Sequence, residues 1–216
     1  DQVLLDLKLF TRSQIQELVE LVSGLFDVLI SQSNRYKDVL LPGYTHLQVA
    51  MPSSFGLWFG AYAESLVDDL QLMQAAYRIC NRNNLPSGYF RDLQIIKEVF
   101  LPAFDELKDC LRMVTHMMRE VKVNEHILDD DKYSLLFSVE EVNRRVLAGM
   151  PFRDAYKQVG LDIEAGKFVP SKSVNHTREG SIGNLCNEPI AAMMRSVIGS
   201  FSFERMNEAE KKLIHG

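Results

Sequence analysis

Residues 101–121 read LPAFDELKDCLRMVTHMMREV and predict a long helix that opens beside Pro102, a residue type favoured in the first helical turn. Apolar side chains recur in this stretch at alternating spacings of three and four, the heptad pattern of helices that pack lengthwise in bundles. The members of this apolar seam are Phe104, Leu107, Leu111, Val114, Met118 and Val121. The pattern favours an all-α protein built around long helices.

Two earlier segments also predict long helices. The first opens with a capping box at residues 11–14, in which Thr11 is the N-cap. It places seven apolar residues on one helical face: Ile15, Leu18, Val19, Val22, Leu25, Phe26 and Leu29. A polar break follows at residues 31–37. The second segment runs from residue 53 or 54 to about Ile79 and is apolar on most sides, which predicts burial among several helices.

The C-terminal part of the chain predicts shorter helices. Ser138 opens another capping box, and a short helix over residues 151–159 closes at Gly160. Residues 168–189 are rich in Ser, Asn, Gly and Pro and predict loops, and a last helix covers residues 190–213. Neither a βαβ alternation nor a hairpin signal such as Asn-Gly is present in the sequence.

Length and composition set the remaining bounds. The 216 residues suffice for a central long-helix bundle domain at 1–124 and a smaller helical subdomain at 125–216. A net charge of −5 argues against nucleic-acid binding. Neither a membrane-length apolar run nor a signal peptide is visible. Three widely spaced cysteines, Cys80, Cys110 and Cys186, predict reduced, mostly buried thiols in a cytoplasmic protein, not disulfides or zinc ligands.

Two segments place polar groups where the surrounding pattern predicts core. Residues 43–48 read GYTHLQ and lie on a turn between apolar helices. Residues 87–97 read SGYFRDLQIIK. If the second half of this segment is helical, Gln94 and Lys97 share a face, with Tyr89 just upstream. Their amide, ammonium and phenol groups suit a zwitterionic ligand that carries carboxylates.

Four ordered motifs resemble those of the argininosuccinate lyases, which are relatives of the fumarases and delta-crystallins. Residues 41–48 (LPGYTHLQ) are similar to the family's PGYTHLQ stretch, and residues 85–97 to its LPxxYxxDxQ segment with the lysine that follows. Residues 1–9 resemble the sequence after its Ser-Arg-Asn, and residues 151–155 its PFRxAH motif, although Tyr156 replaces the histidine. The resemblance implies an all-α, fumarase/aspartase-like bundle of long helices.

The resemblance also implies a reaction, the β-elimination of argininosuccinate to arginine and fumarate without metal or organic cofactor. A base would remove the proton next to a carboxylate, and an acid would protonate the departing nitrogen. By analogy His46 would lie at the catalytic centre, as the acid or by orienting another group. Thr45 would bind a substrate carboxylate, and Tyr89, Gln94 and Lys97 would hold the substrate. The family's homotetramer, with active sites shared between subunits, is expected here as well, without nucleic-acid or membrane partners.

One family motif has no counterpart in this sequence. The family's serine-containing loop would fall between Cys80 and Leu85, which are joined here by only four residues. In the family that loop supplies the proposed base and contacts to the carboxylates. Residues not seen in the structure, a true deletion and a proteolysed fragment are the three explanations. We favour the first and expect a chain break between residues 80 and 85; normal bonding there would indicate a deletion and a polypeptide inactive by itself.

Other functions stay open at this stage. They are a related lyase of the adenylosuccinate lyase or fumarase type, a non-catalytic crystallin-like relative, and a helical interaction module. Outside its motif His46 would be interpreted as a structural histidine. His116 and His126 are expected at the surface or in caps. His176 lies in a polar loop that could contact substrate or another subunit, although satisfying backbone groups is the simpler role.

Overall fold

The computed structural model describes residues 2–82, 92–174 and 176–215 and is mainly helical, which confirms the all-α prediction. Between the first two long helices lies an antiparallel hairpin. The elements are α1 (Gln2–Arg35), β1 (Leu40–Thr45), β2 (Gln48–Ser54), α2 (Phe55–Cys80), α3 (Asp92–Ile95), α4 (Lys97–Glu120), the 3₁₀ turns Ile127–Asp129 and Asp131–Phe137, α5 (Ser138–Leu147), α6 (Phe152–Glu164), α7 (Asn187–Gly199) and α8 (Phe203–His215). None of the helices within the described ranges is long and apolar enough to span a membrane.

The chain forms two compact units, each built from separate segments. Unit 1 comprises Asp1–Ser31, Ala61–Val121 and Asn187–Gly216. Unit 2 comprises Gln32–Gly60 and Lys122–Cys186. Each unit thus combines segments that are separated in the sequence. The linear division into residues 1–124 and 125–216 stays a prediction.

Helix α1 is longer than its sequence signals indicated. It begins at Gln2 and continues through Thr11, whose Oγ1 donates a hydrogen bond to the Leu7 carbonyl at 2.6 Å. The prediction of Thr11 as an N-cap is therefore wrong, because its hydroxyl is satisfied inside the helix one turn back. The helix also passes through the predicted polar break and ends at Arg35. Its core face is confirmed, since all seven predicted residues from Ile15 to Leu29 are buried.

Helix α2 begins where the sequence predicted. The Leu57 backbone N–H donates to Ser54 Oγ at 3.0 Å, so the buried Ser54 hydroxyl satisfies one of the free donors at the helix start. One face is buried, with members Phe59, Ala63, Val67, Leu70 and Tyr77. The opposite side leaves Tyr62, Leu72 and Ile79 exposed. Burial on most sides, which the composition of α2 predicted, is wrong for the chain alone.

Helix α4 begins at Lys97, and Pro102 lies inside it. The predicted start beside Pro102 is wrong because Ile96 already has helical backbone angles (φ −60°, ψ −27°). Lys108 is the one fully buried residue of α4 within the described part of the chain. Its Nζ donates to Gln14 Oε1 at 2.7 Å and pairs with Glu17 at 3.0 Å. The apolar seam is only partly covered.

An apolar groove runs along unit 1 between α1, α2 and α4. Its volume is about 590 Å³. Its walls include Ile15 and Leu18 from α1, Leu72 and Met73 from α2, and Phe104 and Leu107 from α4. Phe104, Leu107 and Leu111, three members of the apolar seam that the sequence predicted, line this groove.

Unit 2 has closed cores around short helices. Leu128, Tyr133, Leu136 and Phe137 form one buried cluster, and Val142, Ala155 and Val159 form another between α5 and α6. No side chain caps α5, so the capping box predicted at Ser138 is wrong. Helix α6 continues through Gly160 to Glu164, which makes the predicted stop at Gly160 wrong as well. The chain leaves α6 through Gly166, whose φ of 65° suits a glycine after a helix.

An ion-pair network around the buried Glu141 links α5 to α6. Glu141 is buried and accepts from Arg144 at 2.6 and 2.7 Å and from Arg145 at 2.8 Å. Arg145 also donates to Asp162 on α6 at 2.7 Å. These contacts lower the pKa of Glu141 to about 2, chiefly through the hydrogen bonds from Arg144, because its charged form is bound by two guanidinium groups.

The C-terminal end differs from its prediction in one respect. The single last helix is divided into α7 and α8, and Ser202 between them has a φ of 56°. The three cysteines are free, but Cys110 is exposed and the other two are half-buried, so the prediction of mostly buried thiols is wrong.

Candidate active site

The segment GYTHLQ forms the end of the hairpin in unit 2. Its strands pair antiparallel, with Tyr44 opposite Val49 and Thr45 opposite Gln48. The pairing shifts near Gly43, where an added Cβ would lie 2.3 Å from the Met51 carbonyl oxygen. A glycine is therefore required for the irregularity that directs the tip. The sequence predicted a turn here but not the two strands.

The turn itself consists of His46 and Leu47. Their φ angles are 50° and 65°, as in a two-residue turn of the type that normally carries Asn-Gly. Neither residue favours this left-handed region, and each such residue costs about 1–3 kcal/mol. Strain of this kind is concentrated at functional sites, so the conformation supports a functional role for the tip.

His46 is exposed, and so is the neighbouring Thr45. A catalytic imidazole is normally oriented by a hydrogen bond to its second ring nitrogen. No hydrogen bond or ion pair of the described residues involves His46. The hairpin therefore exposes the His46 imidazole and the Thr45 hydroxyl on the surface of unit 2. No described residue accepts a hydrogen bond that would orient the imidazole.

A second phenol supports the base of the tip. The hydroxyls of Tyr44 and Tyr133 lie 3.0 Å apart, and this hydrogen bond is the main cause that raises the pKa of Tyr44. The Lys132 ammonium lies 4.8 Å from the Tyr133 ring centroid, within the range of a cation–π contact. Sequence reasoning missed Tyr133 because it lies 89 residues from its partner and belongs to no motif.

The other candidates lie in unit 1. Gln94 is exposed on α3, and Lys97 is half-buried as the first residue of α4. The Ile96 N–H donates to the Asp92 carbonyl at 3.1 Å, so the backbone is helical between them and keeps Gln94 and Lys97 one turn apart, as predicted. Lys97 lines a pocket of about 240 Å³ together with residues of α1. Tyr89 lies outside the described residues, and so do residues 83–85 of the interval in which the chain break is predicted.

The structure also describes the surroundings of His116, His126 and His176. His116 is exposed on α4, and His126 Nδ1 lies 3.2 Å from Asp129 Oδ2. His176 Nε2 lies 3.1 Å from Glu140 Oε1. The polar loop that follows bonds to its own backbone, as expected, since Asn184 donates to the Thr177 carbonyl. Within the described ranges no group of His, Cys, Asp and Glu is arranged to hold a metal ion.

The comparison with protein families defines the class. Residues 1–127, more than half of the chain, match the family model described as lyase. This match spans α1, the hairpin, α2 and α4, and therefore Thr45, His46, Tyr89, Gln94 and Lys97. The class is a lyase with a helical fold.

Individual relatives define the branch. An argininosuccinate lyase of Parabacteroides distasonis is 63% identical over an alignment that covers 100% of this chain and 75% of the relative. Those of Bacteroides thetaiotaomicron and Bacteroides fragilis are 48% and 46% identical, over 99% of this chain and 75% and 74% of the relatives. This chain belongs to the argininosuccinate lyase family.

The same alignments show a difference in length. The alignment with the Parabacteroides distasonis protein extends over 335 residues, whereas this chain has 216, and 335 − 216 leaves at least 119 positions without a counterpart. The serine-containing loop that the family resemblance predicted after Cys80 is one segment that this sequence lacks. In the sequence, Cys80 and Leu85 are separated by Asn81, Arg82, Asn83 and Asn84.

Proposed function

We propose that this chain is a carbon–nitrogen lyase that cleaves argininosuccinate to arginine and fumarate, in arginine biosynthesis. The observation that carries the proposal is the hairpin tip, where Thr45 and the strained His46 stand exposed in a chain 63% identical to a protein named argininosuccinate lyase. A protein that needed His46 only for packing would bury it.

The chemistry assigned to each residue follows from its functional group. The Thr45 hydroxyl donates to a substrate carboxylate, which orients the carbon that loses its proton. His46 protonates the departing nitrogen or orients the group that does so. Tyr89, Gln94 and Lys97 hold the substrate by its arginine-derived half. No step requires a metal or organic cofactor.

The base of the elimination lies outside these residues. In the proposed reaction it belongs to the serine-containing loop that this sequence lacks between Cys80 and Leu85. Loss of a general base lowers a rate by about 10²–10⁴-fold. We therefore expect the 216-residue chain to bind substrate and to turn it over only slowly.

Assembly completes the proposal. The open apolar groove of unit 1 and the partly covered seam of α4 favour packing of long helices between subunits. We expect a cytoplasmic homotetramer with shared active sites, without nucleic-acid or membrane partners. A monomer at micromolar concentration in light scattering would contradict this part of the proposal.

The direct test restores the missing segment. The corresponding region of the Parabacteroides distasonis relative is inserted between Cys80 and Leu85, and fumarate formed from argininosuccinate is followed by absorbance. The chimera is expected to exceed the unmodified chain by about 10²-fold or more. His46→Asn in the chimera should remove most of that gain, whereas Lys157→Gln, on the exposed side of α6, should leave it intact.

A second candidate function is a non-catalytic, crystallin-like relative. The missing serine loop and the unpartnered His46 favour it. A folded tetrameric chimera without turnover would support this second candidate. Turnover of adenylosuccinate or malate in place of argininosuccinate would assign the protein to a sister lyase.

A further inference from the structure

A pocket rich in arginine lies in unit 1, apart from the residues discussed so far. It has a volume of about 470 Å³ and is bounded by α1, the C-terminal end of α2 and the connection from α7 to α8. Three guanidinium groups line it, those of Arg12, Arg78 and Arg205. Its described lining residues include no carboxylate. Three positive charges without a counter-charge are unusual in a protein of net charge −5.

Arg12 is the innermost of the three. Its Nε is buried and has no hydrogen-bond acceptor among the described residues. Its guanidinium carbon lies 6.0 Å from the ring centroid of the buried Tyr77. The Tyr77 hydroxyl donates to Met206 Sδ at 3.0 Å and does not serve Arg12. A buried, unsatisfied donor of a charged group requires an acceptor that the protein does not provide.

The other two arginines stand at the rim. Arg78 and Arg205 are exposed, and neither forms an ion pair or a hydrogen bond with a described residue. Asn81, Ser200 and Ser202 add neutral polar groups to the lining. The pocket therefore combines one buried N–H donor of Arg12 with two exposed positive charges and several hydrogen-bonding groups, an arrangement suited to an oxyanion.

The positive field at this end of unit 1 is also visible at a neighbouring thiol. Burial raises the pKa of Cys80, and the charges of Lys8 and Arg12 act against that rise. Lys8 lies one helical turn before Arg12 on α1, so both cations face the same side.

A simpler role for these arginines would be to offset the negative end of the α2 dipole. That role predicts hydrogen bonds from the guanidinium groups to the last carbonyls of α2. The Tyr77 and Ile79 carbonyls accept instead from the backbone N–H groups of Asn81 and Arg82. Two of the last four carbonyls of α2 are thus satisfied by backbone N–H groups, and Arg12 Nε has no acceptor among the described residues.

We propose that this pocket binds a small polyanion with at least two negative charges, held by Arg12 at its base and by Arg78 and Arg205 at its mouth. The shared chemistry is that of a phosphorylated compound or a short dicarboxylic acid. The apolar floor formed by Phe201 and Met206 fits a small carbon body as well as a bare anion. The proposal does not depend on catalysis by this chain.

Titration calorimetry on the full chain tests it with three probes: pyrophosphate, inorganic phosphate and fumarate. At least one is expected to bind with a dissociation constant below about 1 mM and to weaken as salt is raised. Arg12→Gln and Arg78→Gln should each weaken binding by about tenfold or more, because each removes a charge-assisted pair. Preference for pyrophosphate or for fumarate identifies the source of the anion.

The matched control is Arg119→Gln, which removes an exposed arginine of the same unit from the last turn of α4. It should leave the affinity unchanged. Arg205→Gln, at an exposed position, serves if Arg12→Gln fails to fold. Absence of binding by all three probes, or equal weakening in Arg119→Gln and in the pocket variants, would overturn the proposal.

Discussion

Helix α4 of unit 1 and the α5–α6 pair of unit 2 differ in how far their apolar side chains are buried. Helix α4 has 24 residues, yet Lys108 is its one fully buried residue within the described part. Val99, Met113 and Met117 are exposed by 55–75%. Helices α5 and α6 have 10 and 13 residues and enclose a complete cluster, with Ala155 at 0% and Val159 at 2% exposure. The short helix pair closes its own core, whereas the described part of the chain leaves the apolar side chains of the long helix exposed or partly buried.

This difference has a physical cause in the seam. Heptad spacing presents a narrow apolar stripe along the full length of a helix, and only another long helix can cover such a stripe. The Parabacteroides distasonis relative carries at least 119 further positions, which this chain does not supply to cover the stripe. Within the described residues, the groove beside α4 therefore stays open.

The largest contrast is expected from truncating one apolar side chain in each unit. Phe137→Ala should destabilise unit 2 by about 3–5 kcal/mol, since Phe137 is 1% exposed in a closed cluster. Leu107→Ala should cost less than about 1 kcal/mol, because Leu107 is 44% exposed in the groove. Urea unfolding followed by circular dichroism of the helices checks both variants, and the fluorescence of the single tryptophan, Trp58, reports on unit 2 separately. Equal losses would mean that the groove is closed in solution.

An acid titration tests the ion pairs of Glu141, which stabilise the closed core of unit 2. Its pKa is lowered to about 2 in the folded state, below the ordinary 4.5, so its ion pairs stabilise the fold at pH above about 4.5. That contribution, at most roughly 3 kcal/mol, should be lost as the pH falls from about 4.5 towards 2. Glu141→Gln should flatten the stability of unit 2 over that range, whereas the exposed control Glu125→Gln should leave the profile unchanged. An unchanged profile in Glu141→Gln would contradict the assignment.

The smallest effect is expected at the outer side of α2. Leu72 is 75% exposed, so Leu72→Gln should change the free energy of unfolding by no more than about 0.5 kcal/mol. The same change should lower the binding of an apolar dye, because it places an amide on the wall of the groove. A loss above about 2 kcal/mol would show that Leu72 is covered in the assembled protein.

Periodicity predicted the parts of the fold that depend on one buried face. The seven residues of α1 are buried because spacings of three and four place them on one side of a helix whatever its ends do. The ends were less predictable. Pro102 suggested a helix start, but α4 begins five residues earlier at Lys97, and Ile96 before it already has helical angles.

The hairpin could not be read from local signals. Its turn is made by His46 and Leu47 in a conformation that sequence rules reserve for Asn and Gly. Thr45 and His46 were found through the family motif, whereas their position on a strained, exposed tip required the structure. The ion-pair network was missed because Arg145, which donates to Glu141, also donates to Asp162, a residue of the next helix.

The backbone conformation of the turn also limits the positions that the His46 ring can occupy. Two consecutive left-handed residues between paired strands hold the Cα–Cβ bond of residue 46 in a single direction, so only the two side-chain torsions remain to be sampled. Asparagine accepts the same backbone angles, which makes it the substitution that deletes the imidazole while preserving the bend. A β-branched residue at position 46 would instead be strained at this positive φ, so it would disturb the hairpin as well as delete the imidazole.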